Sequence, residues 1–483
     1  MTGEHDGMEQ GDPLEDHREF RRMIDGIGQE GLRRIIEHFT DTLRAHPDDT
    51  EALGARALAY SELGDYRRAA EDSGRIIALE PGNADAYLSR ASAYADLGED
   101  RWAVEDYNAA IRLAPGNAAA HYSRGGCNAE LGNLAEAVSD FDVAILLAPN
   151  DADAHYNRGL TYLAMGESLR AVEDLGRAIE LDPHLAEAYY HRGDAHRDLG
   201  EMESALADFG AAIEIEANYG LAYYARGITN LNLIRYDDAL RDFDAVLGLD
   251  PDSASALRGR GVALGGLGRN EEAVREFDRS LALDPGNGET LLARAVAHSA
   301  LERHGLAVED YTSVIEVYPG SAVALYNRGK ALMRLDLYRG AIEDFSAVID
   351  FDPENDEAYL ARGFARTALG EHREAVEDYD RFVELTPDNP MGHYMRGCAH
   401  ARLGEPLRAV EDFGRAIALD PDDIESLRNR AILYRETGEP EKAVRDYDEV
   451  LRLDPDDASA RRERQEAVEE IADTEETQEG PHI

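Results

Sequence analysis

At 483 residues the chain is long for one globular core, and its 43% hydrophobic content is enough to bury a large apolar surface. A formal net charge of −49 repels nucleic acid phosphates and anionic lipid, which excludes both as natural ligands and favours basic partners; the same acidity is what adaptation to a high-salt cytoplasm produces. Two cysteines far apart in sequence, Cys127 and Cys398, give neither a ligand set nor a disulfide framework and fit a reducing, cytoplasmic setting.

The chain begins Met1-Thr2-Gly3-Glu4, polar and acidic, without the basic start and apolar run of a signal peptide. No stretch reaches the ~20 apolar residues that span a bilayer, so membrane insertion is not expected. Residues 1–15 read as a disordered tail. Residues 16–49 read as a degenerate N-terminal helical repeat, with Ile35 and Phe39 in phase with the regular repeats from residue 50 onward and Pro47 closing it.

From there the prolines set a clock. Pro47, Pro81, Pro115, Pro149 and Pro183, then Pro251 through Pro455, recur every 34 residues, and the single gap of 68 has Ala217 where a proline would stand. Framed from Thr50, twelve repeats fill 50–457 without insertion or deletion. The twentieth residue is always alanine, and the eighth is Gly or Ala, as in Ala57, Gly125, Gly159 and Gly397. The twenty-fourth is aromatic except at Ser73 and Leu175.

Small and apolar residues at helical spacing fill the first half of each repeat. Gly64, Gly98, Gly132 and their equivalents then suit a left-handed helix C-cap, and a second amphipathic run ends near the proline. Each repeat thus reads as helix, turn, helix, with small residues letting two backbones approach and the aromatic filling the gap beside them. Repeat 7 carries Gly259, Gly265 and Gly266 beyond the pattern, which predicts the softest point of the array and a hinge. After the repeats, 458–472 reads as a polar capping helix over the last apolar face, and 473–483 as a disordered acidic tail.

Two columns carry opposite charge. The seventh residue is arginine in every repeat, including Arg90, Arg124 and Arg158, and the twenty-third is acidic in every repeat, including Asp72, Asp106 and Asp140. If the second helix of one repeat packs on the first helix of the next, the expected ladder is Asp72–Arg90, Asp106–Arg124 and Asp140–Arg158. The alternative is an arginine track for phosphate or acidic ligands.

Twelve in-phase copies with these small, aromatic and glycine positions resemble the tetratricopeptide repeat family over 50–457. The departures are a fourth place held by Tyr, His or Leu, and an eleventh-place tyrosine kept only at Tyr60, Tyr94, Tyr162 and Tyr434. The resemblance implies an all-α, α–α superhelix of about twelve hairpins. It also implies a groove lined by the second, fifth, ninth, twelfth and thirteenth places of each repeat.

At the fifth place stands a tyrosine stripe: Tyr122, Tyr156, Tyr190, Tyr224, Tyr326 and Tyr394, either ligand-binding or packed on neighbouring helices. Groove places of repeats 1–5 carry Glu51, Glu62, Asp85, Asp96, Glu130, Asp153, Glu187, Asp194 and Asp198 against Arg197. Those toward the C-terminus carry Arg258, Lys330, Arg334, Arg402, Arg428 and Arg435 among scattered glutamates. Some family members clamp a peptide carboxylate with asparagine at the sixth place and nearby cations; Asn327 with Lys330 and Arg334, and Asn429 with Arg428 and Arg435, resemble half of that set.

No phosphate loop, dinucleotide fingerprint or His-Glu-x-x-His occurs, and His191, His196, His393 and His400 hold ordinary repeat places. The expectation is a non-enzymatic scaffold or adaptor without metal or cofactor, binding a protein or peptide that has a basic segment. The alternative is a regulatory subunit that binds and positions an enzyme or assembly complex.

Overall fold

The structure, a computed structural model, describes residues 28–478, with side chains through residue 472. The tail expected over 1–15, the first helix of the degenerate repeat and residues 479–483 lie outside the described residues. Within them there are 26 helices and no strand. Backbone proximity divides them into two compact bodies, one ending at Leu249 and the other beginning at Asp250. None of these helices is long and apolar enough to cross a membrane.

Helix α1 (Gln29–Ala45) is the second half of the degenerate repeat. It buries Leu32 and Leu43 against the first repeat, where Leu43 meets Leu53 and Ile76. Each of the twelve repeats is then an antiparallel hairpin. In repeat 3 the first helix is Ala118–Glu130 and the second Leu134–Leu147. The chain ends in α26 (Ala458–Gln478), which packs Ala460 and Ala467 on the last hairpin beside Val450. That helix is longer than the capping helix expected over 458–472, so residues 473–478, expected as tail, are helical.

The hairpin interface is set by what it leaves out. The twentieth-place alanines are buried to within 1% of full exclusion, from Ala69 and Ala103 to Ala443. A Cβ on Gly193 would lie 2.7 Å from the Phe209 ring, and one on Gly329 would lie 2.7 Å from Phe345. The eighth-place glycine and the twenty-fourth-place ring therefore share one packing position, and a larger residue at the eighth place would separate the helices. First helices of successive repeats also approach one another, as Ala84–Asp96 does with Thr50–Glu62 and with Ala118–Glu130. No comparable approach joins second helices among the described residues, so within each body the first-helix face lies on the inside of the curve.

Both ends of the first helix are specified by single residues. At the N-cap, Asn83, Asn117, Asn287, Asn355 and their Ser or Asp equivalents accept a hydrogen bond from a backbone N–H inside the first turn. Such caps are worth about 1 kcal/mol each. Repeats 5 and 6 have none, because Leu185 and Tyr219 stand there. At the C-terminus, nine glycines from Gly64 to Gly438 take φ between 72° and 81°. The N–H of the next residue donates to the carbonyl five residues back, as Glu99 does to Tyr94 at 2.8 Å, which ends the helix. Three repeats place Ile234 (φ 61°), Glu302 (φ 57°) and Asp336 (φ 59°) in the same left-handed turn. A side chain there costs about 1–2 kcal/mol, and most for the β-branched Ile234.

Ile234 is 70% exposed, so Ile234→Gly loses little burial and relieves the turn. It is expected to stabilise the protein by about 1 kcal/mol, seen as a raised thermal midpoint; an unchanged or lowered midpoint would contradict this account of the turn. In repeat 7 the helix Ala254–Gly266 is complete, but Gly259, Gly265 and Gly266 each weaken it by about 1 kcal/mol relative to alanine. Its amides should exchange with deuterium faster than those of Pro390–Arg402, and equal rates would remove the idea of a soft repeat.

Candidate functional site

The arginine and aspartate columns do pair, in a different register from the one expected. Arg90 reaches Asp106 with Nε at 2.6 Å and Nη2 at 2.7 Å, and Arg56 reaches Asp72 with both bonds at 2.7 Å. Arg124 binds Asp140, and Arg158 binds Asp174 at 2.6 Å. The pair lies within one hairpin, not between repeats as in Asp72–Arg90, Asp106–Arg124 and Asp140–Arg158. The reason is hairpin symmetry: the seventh and twenty-third places are equidistant from the turn at the fifteenth, so antiparallel helices bring them level.

Where the preceding repeat offers a polar residue the third guanidinium nitrogen makes a bond between repeats, whereas Arg90, Arg192, Arg226 and Arg430 face Gly74, Gly176, Gly210 and Gly414 there. Arg124 Nη1 donates to Asn108 at 2.5 Å, Arg294 to Asp278 at 2.6 Å and Arg396 to Asp380 at 2.8 Å, each on the second helix of the preceding repeat. In these repeats one side chain thus closes its own hairpin and ties it to the previous one. The carboxylate hydrogen bond raises the pKa of Arg56, Arg90 and Arg158. These arginines are committed to the fold, which leaves no track for phosphate.

The tyrosine stripe is also partly committed. Ring centroids at the fifth place lie against the twenty-fourth-place ring of the same repeat: Tyr122–Phe141 and Tyr190–Phe209 at 5.9 Å, Tyr224–Phe243 at 5.8 Å, Tyr326–Phe345 at 5.7 Å, Tyr394–Phe413 at 5.9 Å. Tyr156, whose repeat has Leu175 instead, meets His191 at 5.9 Å. All six tyrosines are half-buried, and burial raises the hydroxyl pKa of Tyr122 and Tyr156 and pushes those of Tyr190, Tyr326 and Tyr394 up to about 12. The Tyr122 hydroxyl accepts from Asn157 at 2.7 Å and that of Tyr394 from Asn429 at 3.4 Å, each bond crossing to the next repeat.

The groove charges divide by what they already hold. Toward the C-terminus, Arg258 pairs with Glu289 and Arg428 with Asp457. Arg435 pairs with Glu466 at 3.1 Å and Glu470 at 2.6 Å on α26. The carboxylate-binding set expected at Asn429, Arg428 and Arg435 is therefore filled from within: Asn429 holds Tyr394, and the two arginines hold acids contributed at the chain's end. Sequence reading missed Glu466 and Glu470 because they lie beyond the repeats, although they occupy the ninth and thirteenth places of an implied next first helix. Of the other set, Asn327 donates to the Val323 carbonyl at 3.0 Å and Lys330 lies over the Tyr326 ring at 5.4 Å. Lys330, Arg334 and Arg402 are exposed and make no ion pair among the described residues.

At the groove places of repeats 1–5 the single cation, Arg197, pairs with Asp194 at 2.8 Å, and burial still raises the Asp194 pKa. Glu51, Glu62, Asp85, Asp96, Glu130, Asp153, Glu187 and Asp198 are exposed, and none makes an ion pair among the described residues. Between these carboxylates lies an aromatic cluster that the fifth-place stripe did not disclose. Tyr190 meets His191 at 4.9 Å and Tyr219 at 5.3 Å, and His191 continues to Tyr156. The signal was present in the sequence as the one aromatic in the N-cap column.

Tetratricopeptide repeat family models match residues 55–100, 224–288, 292–356, 326–390 and 394–458, others match 152–185 and both 84–117 and 186–219, and a TPR repeat model matches 129–166. The chain belongs to the tetratricopeptide repeat family. No curated protein matches it. Among solved structures, this tetratricopeptide repeat protein is similar to a MamA protein at 26% identity, covering 35% of this chain and 92% of that one with TM-score 0.34. It is similar to YrrB, described as a TPR protein with an unusual peptide-binding site, at 26% identity, covering 39% and 97% with TM-score 0.36. A tetratricopeptide repeat protein from Parabacteroides merdae is similar at 17% identity, covering 51% and 98% with TM-score 0.40.

The register of the buried pairs is testable by double-mutant cycles with Arg124→Gln. Coupling to Asp140→Asn is expected at about 1–3 kcal/mol, and coupling to Asp106→Asn, the partner anticipated from sequence, below about 0.5 kcal/mol. The reverse order would restore a ladder between repeats.

Proposed function

We propose that the protein is an interaction scaffold whose first-helix face binds a segment of another protein, with a basic stretch of that segment against repeats 1–5. The carrying observation is the unbalanced row from Glu51 to Asp198, in which every carboxylate but that of Asp194 is without an internal cation among the described residues while the fold pairs its arginines elsewhere. Half-buried tyrosine rings beside the row supply contact area at low entropic cost. In the second body, Lys330, Arg334 and Arg402 are the groove cations left for an acidic side chain or a terminal carboxylate. Membership of the tetratricopeptide repeat family, whose members bind protein or peptide partners, supports this reading.

Fluorescence anisotropy with labelled basic, neutral and acidic peptides of one length tests it. Basic peptides should bind, weaken as salt rises, and lose at least about tenfold in affinity to a Glu51→Lys/Asp85→Lys/Asp153→Lys variant with unchanged helicity. Indifference to peptide charge, or to the variant, would refute the basic-segment reading.

A further inference from the structure

We propose that the first-helix face of repeats 4–6 holds a site for the guanidinium group of a partner arginine, stacked on Tyr156, Tyr190 and Tyr219 and paired with Glu187. This rests on the reading that a basic segment binds the face, and it names the side chain that anchors it.

The fold contains its own template for the contact. In repeat 7 the fifth-place residue is Arg258, and its guanidinium pairs with Glu289 at the second place of the next repeat. Glu187 occupies the same second place in repeat 5, but the fifth-place residue of the repeat before it is Tyr156. Glu187 is exposed and close enough to Tyr156 and Tyr219 to raise both hydroxyl pKa values, adding to the larger effect of burial. The carboxylate is therefore present without the cation that its equivalent holds, and a ring surface lies where that cation's side chain would be.

Tyr219 is the second, independent sign. It occupies a helix N-cap that Asn, Ser or Asp fills in the other repeats apart from Leu185, and no side chain caps the helix it precedes. The same repeat boundary also lacks its proline, with Ala217 in place. Two departures from an otherwise regular pattern, a lost cap and a lost proline, thus fall within one short stretch of chain, and the Tyr219 ring packs at 5.3 Å from Tyr190 on the acidic face. A local stabilising device has been replaced by aromatic surface.

Arginine suits the site better than lysine. Its planar, weakly hydrated guanidinium stacks on aromatic faces and offers a fork to a carboxylate, whereas ammonium is a strongly hydrated point charge. The chain uses the same contact beside the site, with Arg192 over Tyr189 at 5.6 Å and Arg226 over Tyr223 at 5.5 Å.

The test uses the full chain and two labelled peptides of equal length and charge, one with lysines only and one with arginine replacing a central lysine. The arginine peptide should bind about tenfold more tightly to the wild type. Tyr219→Asn should abolish that preference while the thermal midpoint holds or rises, because asparagine restores the cap; Glu187→Gln should abolish it through the carboxylate alone. Equal binding of both peptides to the wild type, or a preference that survives in both variants, overturns the arginine site and leaves the basic-segment reading standing. Binding of neither peptide overturns that reading and the site with it.

Discussion

The close approach of the two helices in each hairpin is the constraint on which the remaining architecture depends. Alanine at the twentieth place and Gly or Ala at the eighth bring the backbones near enough that the twenty-fourth-place ring seals the gap, as Phe209 does over Gly193. Once the helices are this close, the residues flanking the seam are fixed too. The seventh-place arginine and twenty-third-place aspartate meet as a fork because the seam leaves them level across the turn. Burying such a pair gains little net stability by itself, but losing one partner strands a charge in the interior. The pair therefore punishes any other alignment of the two helices. The ring in turn presents its free face to the fifth place, so Tyr190 or Tyr326 is positioned by the same packing that closes the hairpin.

The repeat made most of this architecture legible. A proline clock without insertions, glycines at the fifteenth place and invariant alanine at the twentieth state where helices begin, turn and touch, and the helices fall where those residues put them. The register of the charge columns was not legible from spacing. Asp106 lies 16 residues after Arg90 and 18 before Arg124, and both separations straddle a turn between antiparallel helices. Only the geometry of the seam decides between them. The closure of Arg428 and Arg435 escaped for a different reason: their partners sit at or beyond the end of the periodic region, where columns of equivalent residues run out.

In a repeat protein each place has its own internal reference, so a departure is informative when its energetic sign is known. Ile234, Glu302 and Asp336 violate the turn rule and occupy a left-handed conformation that glycine tolerates better, with no evident compensation at the exposed Ile234. Tyr219 violates the cap rule, and its ring is accounted for by contact with Tyr190. The first kind of departure is a tolerated loss in a chain with stability spread over many repeats. The second exchanges a local gain for surface, which is the pattern expected where function competes with stability.

The electrostatics sharpen that distinction. A net charge of −49 says only that the surface is acidic, and spread evenly it would give solubility without direction. Internal pairing removes the uniformity. The fold draws Arg258, Arg428 and Arg435 into ion pairs and so blunts the positive character of the groove toward the C-terminus, while Arg197 is engaged by Asp194 and the row from Glu51 to Asp198 keeps its charge. What a partner meets is therefore the charge left after the fold has satisfied itself. Counting charges along the sequence overstated the positive end by including cations that are not available, whereas at the acidic end nearly all of the carboxylates are without an internal cation among the described residues. Recognition by such a face would be steered by the carboxylates over the distance that salt permits, then fixed at short range by the tyrosine rings, which do not depend on salt.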